Sequence, residues 1–302
     1  MAQKVLISVV GPTAIGKTKL AIALAQHFEA QILSADSRQF YMEMQIGTAV
    51  PSKEELITVP HHFIQHKSIH DTYSVGDFER DALKVLEQLF QVGDTAIMVG
   101  GSGFYSDAVV YGLDHFPETA AGVRDNLNER YRADGIEVLQ NQLKELDPEY
   151  YESVDLNNPH RLVRALEVCI SSGRPYSSFL NLPKIPRPFK CVTVGITAER
   201  EIIYDRINLR VDKMMKEGLL NEVKALVAYK DKNALQTVGY RELFRYLDGS
   251  IDLDFAVEEI KKNSRRFAKR QLTWLKKNNE ILWVDYQDDL ETIVVQIEAR
   301  LK

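Results

Sequence analysis

Residues 4–18 read KVLISVVGPTAIGKT, and this stretch decides the fold. Lys4 to Val10 is a β-branched apolar run of the length of one buried strand. Gly11, Pro12, Thr13, Ala14, Ile15, Gly16, Lys17 and Thr18 then complete the full G-x-x-x-x-G-K-[ST] pattern. Beyond them, Leu20, Ala21, Leu24 and Phe28 recur at helical spacing, so the order is strand, loop, helix. That context gives the pattern a mechanism. Glycines let backbone N–H groups close around phosphate oxygens, the helix N-terminus favours negative charge, Lys17 adds a point charge, and Thr18 offers a hydroxyl to Mg²⁺. A phosphate-binding loop (P-loop) does not say which phosphorylated compound it holds, or whether a phosphoryl group moves.

Further along the chain the same alternation continues. A second apolar run, Gln31 to Ser34, ends at Asp36, Ser37, Arg38 and Gln39, and a third, Thr95 to Val99, ends at Gly100, Gly101, Ser102 and Gly103. Between them, Ser74 and Asp77 cap a predicted helix whose Phe78, Ala82, Val85, Leu86, Leu89 and Phe90 form one apolar stripe ending near Gly93. Lys190 to Ile196 and Ile281 to Val284 are further strand candidates. Short apolar strands alternating with helices predict an α/β fold: a P-loop NTPase-like, mostly parallel sheet with helices on both faces. From 116 to 188 the strand signal disappears in favour of helices separated by Asp-Pro, Asn-Pro and the closing LPKIPRP. The expected organisation is a catalytic core of 1–115 and 189–302, interrupted by a helical insertion domain of 116–188. After Thr197 come long helical patterns, broken at Gly218.

Composition bounds the function. The chain has 302 residues, 45% hydrophobic and 27% charged, and no apolar run approaches the roughly 20 residues of a membrane span. The opening MAQKVLISVVGPT lacks a charged lead and a small-residue cleavage site, so a cytoplasmic location is expected. Cys169 and Cys191 have no paired spacing, which argues against a zinc site or a disulfide framework. A net charge of −5 gives no global argument for nucleic acid. Yet Lys261 to Asn279 carries eight Lys or Arg and no Asp or Glu, interleaved with Phe267, Leu272, Trp274 and Leu275 on one predicted helix. Taken alone, that is a solvated basic face. His62, His66 and His70 recur every four residues, a ligand spacing on a helix, but the Phe and Ile between them are spaced as in extended chain.

A kinase or hydrolase with this loop adds an aspartate at the end of a later apolar strand to organise Mg²⁺. The only such string is ILWVD, ending at Asp285 near the C-terminus, where an edge strand is the better reading. Asp36 follows the second strand and is better placed, because ligands of open α/β sheets bind at the carboxyl ends of strands. A carboxylate there can ligate Mg²⁺, cap a helix or act as a base, and the residues alone leave the three open.

GPTAIGKT, DSRQFY, IGTA, HHFI, YSVGDF, VGGSGFY, NPHRLVRALEV, MMKEGLLNEV, VGYRE and RRFAKRQLTWLKK occur in this order, and together they resemble the successive motifs of the tRNA dimethylallyltransferases. The resemblance spans nearly the whole chain. It implies that the loop Gly11 to Thr18, joined by Arg210, grips the diphosphate of dimethylallyl diphosphate, with Thr18 on Mg²⁺. It implies alkyl transfer to N6 of the adenosine just 3′ of the anticodon, a base extruded from a single-stranded tRNA loop. Attack by that nitrogen needs a proton acceptor and charge stabilisation on the leaving diphosphate. Asp36 is the candidate base, Ser102 a hydroxyl beside the acceptor amine or leaving oxygen, and Lys17 the catalytic cation. By the same resemblance Asp36, Ser37, Arg38, Gln39, Ser102, Arg124, His160, Arg161, Leu162, Val163 and Arg164 contact tRNA, the insertion supplies part of that surface, and the basic stripe joins it; a monomer is expected, although the sequence leaves the oligomeric state open.

Three positions depart from the family's pattern. Ile15 stands where serine is common, Ser102 where threonine is common, and Val50 where lysine is common after IGTA. Ile15 is expected to be tolerated, because the loop binds through backbone N–H groups. Ser102 keeps the hydroxyl but loses the methyl that restricts χ1. Competing readings are a dimethylallyltransferase acting on free adenylate, a P-loop small-molecule kinase, and an RNA-binding protein without turnover. The insertion and basic stripe argue against a small acceptor, and the DSRQ and GGSGFY segments argue against a kinase.

Overall fold

In the computed structural model, which describes residues 3–302, the apolar run at the start becomes β1 (Val5–Val10), buried at every position. It lies mid-sheet because it has neighbours on both sides. β4 (Thr95–Val99) pairs with one edge of β1 and β5 (Lys190–Thr197) with the other, both parallel, with Val9 opposite Val99 and Val194. β2 (Ile32–Ser34) pairs with β4, β3 (His61–His62) closes one edge, and β6 (Leu282–Asp285) closes the other. The order is β3-β2-β4-β1-β5-β6, six strands, all parallel. β6 is thus the edge strand expected, and exposed Asp285 accepts the Gln287 N–H in a turn at 3.0 Å.

Parallel strands need covered crossovers, so side chains alternate between two apolar layers. Leu6, Ala96 and Met98 enter one core with Phe40, Phe78 and Tyr240, while Ile7, Val9, Ile97 and Val99 enter the other with Leu24, Val194 and Ile297. Among the helices are α1 (Lys17–His27), α2 (Lys53–Thr58), α3 (Val75–Val92) and α4 (Gly103–Tyr111). α3 starts where the sequence placed it: Ser74 and Asp77 form a reciprocal capping box, and Gly93 is the C-cap.

The chain divides into two units, residues 1–111 with 187–302, and residues 112–186. These boundaries lie a few residues before the 116 and 188 read from composition. The smaller unit holds α5 (Val123–Asp134), α6 (Glu137–Leu146), α7 (Pro148–Ser153) and α8 (Pro159–Ser172), packed on Leu127, Leu139, Leu143, Leu162 and Leu166. Its Asp-Pro and Asn-Pro pairs are helix starts: Asp147 accepts the Tyr150 N–H at 3.0 Å and Asn158 the Arg161 N–H at 3.3 Å, each followed by Pro at the first helical position.

The larger unit resumes with α9 (Arg200–Glu217), α10 (Leu219–Ala225), α11 (Tyr240–Leu247), α12 (Leu253–Leu275) and α13 (Leu290–Leu301). Gly218, at φ 104°, ends α9 and opens α10, the predicted break. Glu222 on α10 binds the IGTA loop from below, accepting the N–H groups of Gln45 (3.0 Å), Ile46 (2.7 Å) and Gly47 (3.0 Å) and the Tyr240 hydroxyl (2.5 Å). That contact explains why IGTA, MMKEGLLNEV and VGYRE occur together. Among the described residues no helix is long and apolar enough to cross a membrane.

Candidate active site

The loop after β1 turns at Gly11, whose φ of 148° and whose 2.8 Å approach of a would-be Cβ to the Ile196 carbonyl exclude any side chain. Ile15 is 3% exposed and packs into the sheet core, so its side chain anchors the loop. Lys17 Nζ donates to the Pro12 carbonyl at 2.9 Å, Arg206 Nε to the Ala14 carbonyl at 2.8 Å, and Arg210 Nη1 lies 3.3 Å from Thr13 Oγ1. Burial drives the Lys17 ammonium down to about 8, opposed by the Asp36 carboxylate and assisted by Arg210. Burial also lowers Arg210, again opposed by Asp36. Two cations that desolvation penalises, facing one carboxylate, make a pocket short of negative charge. An anion entering it relieves that penalty.

Asp36 stands just past β2, and its Oδ1 accepts the Arg38 N–H at 3.0 Å. A Cβ on Gly101 would lie 3.7 Å from Asp36 Oδ2, 3.8 Å from Lys17 Nζ and only 2.7 Å from Gln271 Nε2. The missing side chain is what lets the three loops meet. Gln271, 8% exposed on α12, ties them: its Oε1 accepts the Thr13 N–H at 2.9 Å and its Nε2 donates to the Gly101 carbonyl at 2.7 Å. Ser102 Oγ accepts the Ser37 N–H at 3.2 Å and lies 3.2 Å from Ser37 Oγ. Together Gly11, Thr13, Asp36, Ser37, Arg38, Ser102 and Arg210 line one cavity of about 530 Å³, whose other wall is apolar, including Val211, Met214, Leu219 and Ile260. At its margin Phe267 and Trp274 are 38% and 46% exposed. The Trp274 indole donates to Asp107 Oδ2 at 2.9 Å.

Lys17, Thr18, Asp36 and His61 line a second cavity of about 30 Å³ beside the phosphate loop. A hydroxyl and a carboxylate there fit Mg²⁺, which binds through one or two protein oxygens together with phosphate oxygens and water. Among the described residues no group of three or more His, Cys, Asp or Glu is placed to hold a metal ion. The His62, His66 and His70 spacing resolves as extended chain and turns: His62 lies 2.8 Å from Gln31 Oε1, His66 sits edge-on to Phe40 and Tyr73, and His70 edge-on to Tyr229.

Several residues expected to touch RNA make contacts within the protein. Leu162 (0% exposed) and Val163 (4%) lie in the core of the smaller unit, so both are corrected: helical periodicity turns them inward. Their neighbours His160 and Arg161 are exposed. Arg124 grips buried Glu167 with two hydrogen bonds, 3.1 and 2.6 Å, and Arg164 adds a third at 3.2 Å while lying over the Phe116 ring. Arg38 Nη1 donates to the Asn233 and Ala234 carbonyls at 3.0 Å each. Gln39 Nε2 donates to the Thr48 and Ala49 carbonyls at 3.2 and 2.9 Å, which holds the IGTA loop to the end of β2. The basic stripe is also divided. Lys261 pairs with Asp212 and Glu258, Lys262 with Glu259, and Arg265 bonds Asn208, whereas Arg266, Lys269, Arg270, Lys276 and Lys277 are exposed.

Gln271, Glu222 and His61 escaped the sequence reading. Gln271 had a visible signal, a polar residue in line with buried Ala268 and Leu275 on the inward face of α12. Glu222 had none, because the backbone groups it binds are remote in the chain, and His61 had none, because the Thr18 and Asp36 that line a cavity with it are remote too.

A family model described as IPP transferase matches residues 39–278. The chain is 56% identical over 296 residues to a tRNA dimethylallyltransferase of Christiangramia forsetii, covering 98% of each. It is 57% identical over 305 residues to that of Flavobacterium johnsoniae, covering 99% of each. Among solved structures, the tRNA isopentenylpyrophosphate transferase of Bacillus halodurans superposes with a TM-score of 0.72 at 35% identity, over 99% of this chain and 96% of that one. A eukaryotic dimethylallyltransferase captured acting on tRNA gives 0.83 at 26% identity, over 94% of this chain and 74% of that one.

Proposed function

The chain belongs to the IPP transferase family, and from that premise we propose the donor, the acceptor atom and the residues of its reaction. Its activity is transfer of a dimethylallyl group to tRNA. The donor is dimethylallyl diphosphate and the acceptor is N6 of the adenosine 3′-adjacent to the anticodon. The N6 lone pair attacks the allylic carbon, a C–N bond forms, the C–O bond to diphosphate breaks, and the N6 proton passes to Asp36. The phosphate loop from Gly11 to Thr18, Lys17 and Arg210 hold the departing charge, and Ser102, fixed by Ser37, orients the amine. Thr18 and Asp36 are the groups to hold Mg²⁺, which when bound helps neutralise the diphosphate. The observation that carries this reading is the convergence of Asp36, Ser102 and Arg210 on one cavity that is cationic at one wall and apolar at the other.

RNA meets the core through Ser37, Ser102 and the exposed half of the basic stripe, whose Arg270 guanidinium lies 5.7 Å over Phe267 and whose Lys277 lies 5.8 Å over Trp274. In the helical unit Arg124, His160, Arg161 and Arg164 are the RNA-facing positions. The enzyme acts as a cytoplasmic monomer. The test is mass spectrometry of nucleosides from unmodified tRNA incubated with protein, Mg²⁺ and dimethylallyl diphosphate, beside a reaction offering AMP. A five-carbon gain on adenosine from tRNA alone is expected. Modification of AMP alone overturns the tRNA acceptor, and transfer to neither overturns the donor.

A further inference from the structure

Successive side chains of a strand point to opposite faces, and β3 uses this to send its two histidines apart. His62 turns to Gln31, and His61 turns to the small cavity beside the phosphate loop. His61 Nδ1 lies 2.7 Å from the Val59 carbonyl oxygen. A carbonyl only accepts, so Nδ1 carries the hydrogen, and the neutral ring keeps a lone pair on Nε2. That nitrogen is buried and has no hydrogen-bond partner among the described residues. A buried acceptor left unmatched is destabilising, so something that donates belongs beside it. The cavity that His61 lines with Thr18 and Asp36, about 30 Å³, has room for a small cation or a water or two.

We propose that His61 is a positioning residue for the cation that accompanies the diphosphate, its Nε2 accepting a hydrogen bond from a water in that cation's coordination shell. The proposal rests on the reading of Mg²⁺ at Thr18 and Asp36. It gives His61 a tautomer fixed by the Val59 carbonyl, the arrangement by which outer-shell groups orient metal ligands. It also gives the edge strand β3 a task. Pairing with β2, Ile32 to His61, holds the imidazole beside the loop that ends in Asp36.

The experiment is a Mn²⁺ titration followed by electron paramagnetic resonance on the full chain with inorganic diphosphate present, comparing wild type, Thr18→Ala, His61→Leu and His61→Gln. Diphosphate binding in EDTA is measured alongside. Thr18→Ala weakens Mn²⁺ binding if the cation reading is right. His61→Leu, which removes the acceptor but keeps bulk, weakens it about 10- to 100-fold. His61→Gln restores most of the loss, because its amide oxygen reaches the place of Nε2. Diphosphate affinity in EDTA stays at the wild-type value in both His61 variants. Wild-type Mn²⁺ affinity in His61→Leu, with Thr18→Ala weakened, overturns the role of His61 alone. Unchanged affinity in Thr18→Ala overturns the cation reading and the proposal with it. Equal losses in the Leu and Gln variants, or loss of diphosphate in EDTA, mean a structural histidine and overturn the proposal as well.

Discussion

The loop at Gly11–Thr18 and the helix α8 at Pro159–Ser172 both carry family motifs, but they use them differently. In the loop, Gly11, Thr13 and Ala14 line the larger cavity, Lys17 and Thr18 line the smaller one beside it, and Ile15 serves as an anchor in the core, so most of the octet lies at the candidate site. In α8 the motif is split by the 3.6-residue period: His160 and Arg161 face solvent, while Leu162, Val163 and Leu166 build the core of the helical unit. A motif in a loop reads as chemistry almost residue for residue. One in a helix reads as two interleaved messages, and only burial separates them.

The sharpest way to break that contrast is to set rate against stability. Asp36→Asn removes the proposed proton acceptor and keeps the Arg38 N–H contact at Oδ1. Single-turnover kcat on tRNA is expected to fall by about 10²–10⁴, with the urea midpoint falling far less than in a core truncation even though Lys17 and Arg210 lose the opposing carboxylate. A fall of less than tenfold would move the base elsewhere. Leu162→Ala does the opposite, costing about 2–5 kcal/mol of stability in urea as a buried large-to-small change. Should it keep full stability and lose only tRNA affinity, Leu162 returns to the RNA surface and the contrast collapses.

The Lys17 titration sharpens the loop side. Its free-state pKa lies near 8, and a bound diphosphate stabilises the ammonium, so binding above that pH requires proton uptake. The Lys17 contribution to the affinity for inorganic diphosphate, once the ionisation of diphosphate itself is subtracted, is therefore flat below pH 8 and falls by up to about tenfold per unit above it. Burial makes the sign opposite for the empty protein: a lysine depressed in the fold weakens stability most below pH 8, and the penalty fades as pH rises toward the ordinary value of 10.5. Calorimetry in buffers of different ionisation enthalpy detects the proton taken up at pH 9, and an affinity independent of pH up to 9.5 rejects the assignment.

Local patterns were legible wherever the chain reports on itself. Strands β1, β2, β4 and β5, the capping box at Ser74, the break at Gly218 and the phosphate loop each follow from residues within a turn of one another. The cross-chain ties were not legible. Gln271 reaching Thr13 and Gly101, and Glu222 reaching residues 45–47, join segments more than 150 residues apart, where periodicity carries no signal. The ties inside the helical unit were hidden for a related reason: sequence shows that Arg124 and Arg164 are basic, but not that a buried Glu167 pairs with both.

Ser102 is where the two kinds of reading meet, and its effect is the smallest expected. With serine in place of the family's threonine, χ1 loses the stiffness that a β-methyl gives. The structure supplies another constraint, since Ser102 Oγ sits 3.2 Å from both the backbone nitrogen and the hydroxyl of Ser37. If those contacts already fix the rotamer, adding the methyl restricts a bond that is not free. Ser102→Thr is then worth under about 0.7 kcal/mol, a change in kcat below about threefold. Ser37→Ala removes one of the two contacts and makes the methyl matter, so the gain from Ser102→Thr should be larger in that background than in the wild type. A double-mutant cycle in single-turnover kcat reads the difference directly. Equal gains in both backgrounds mean that Ser37 does not position Ser102, and that the hydroxyl finds its place only when the acceptor is bound.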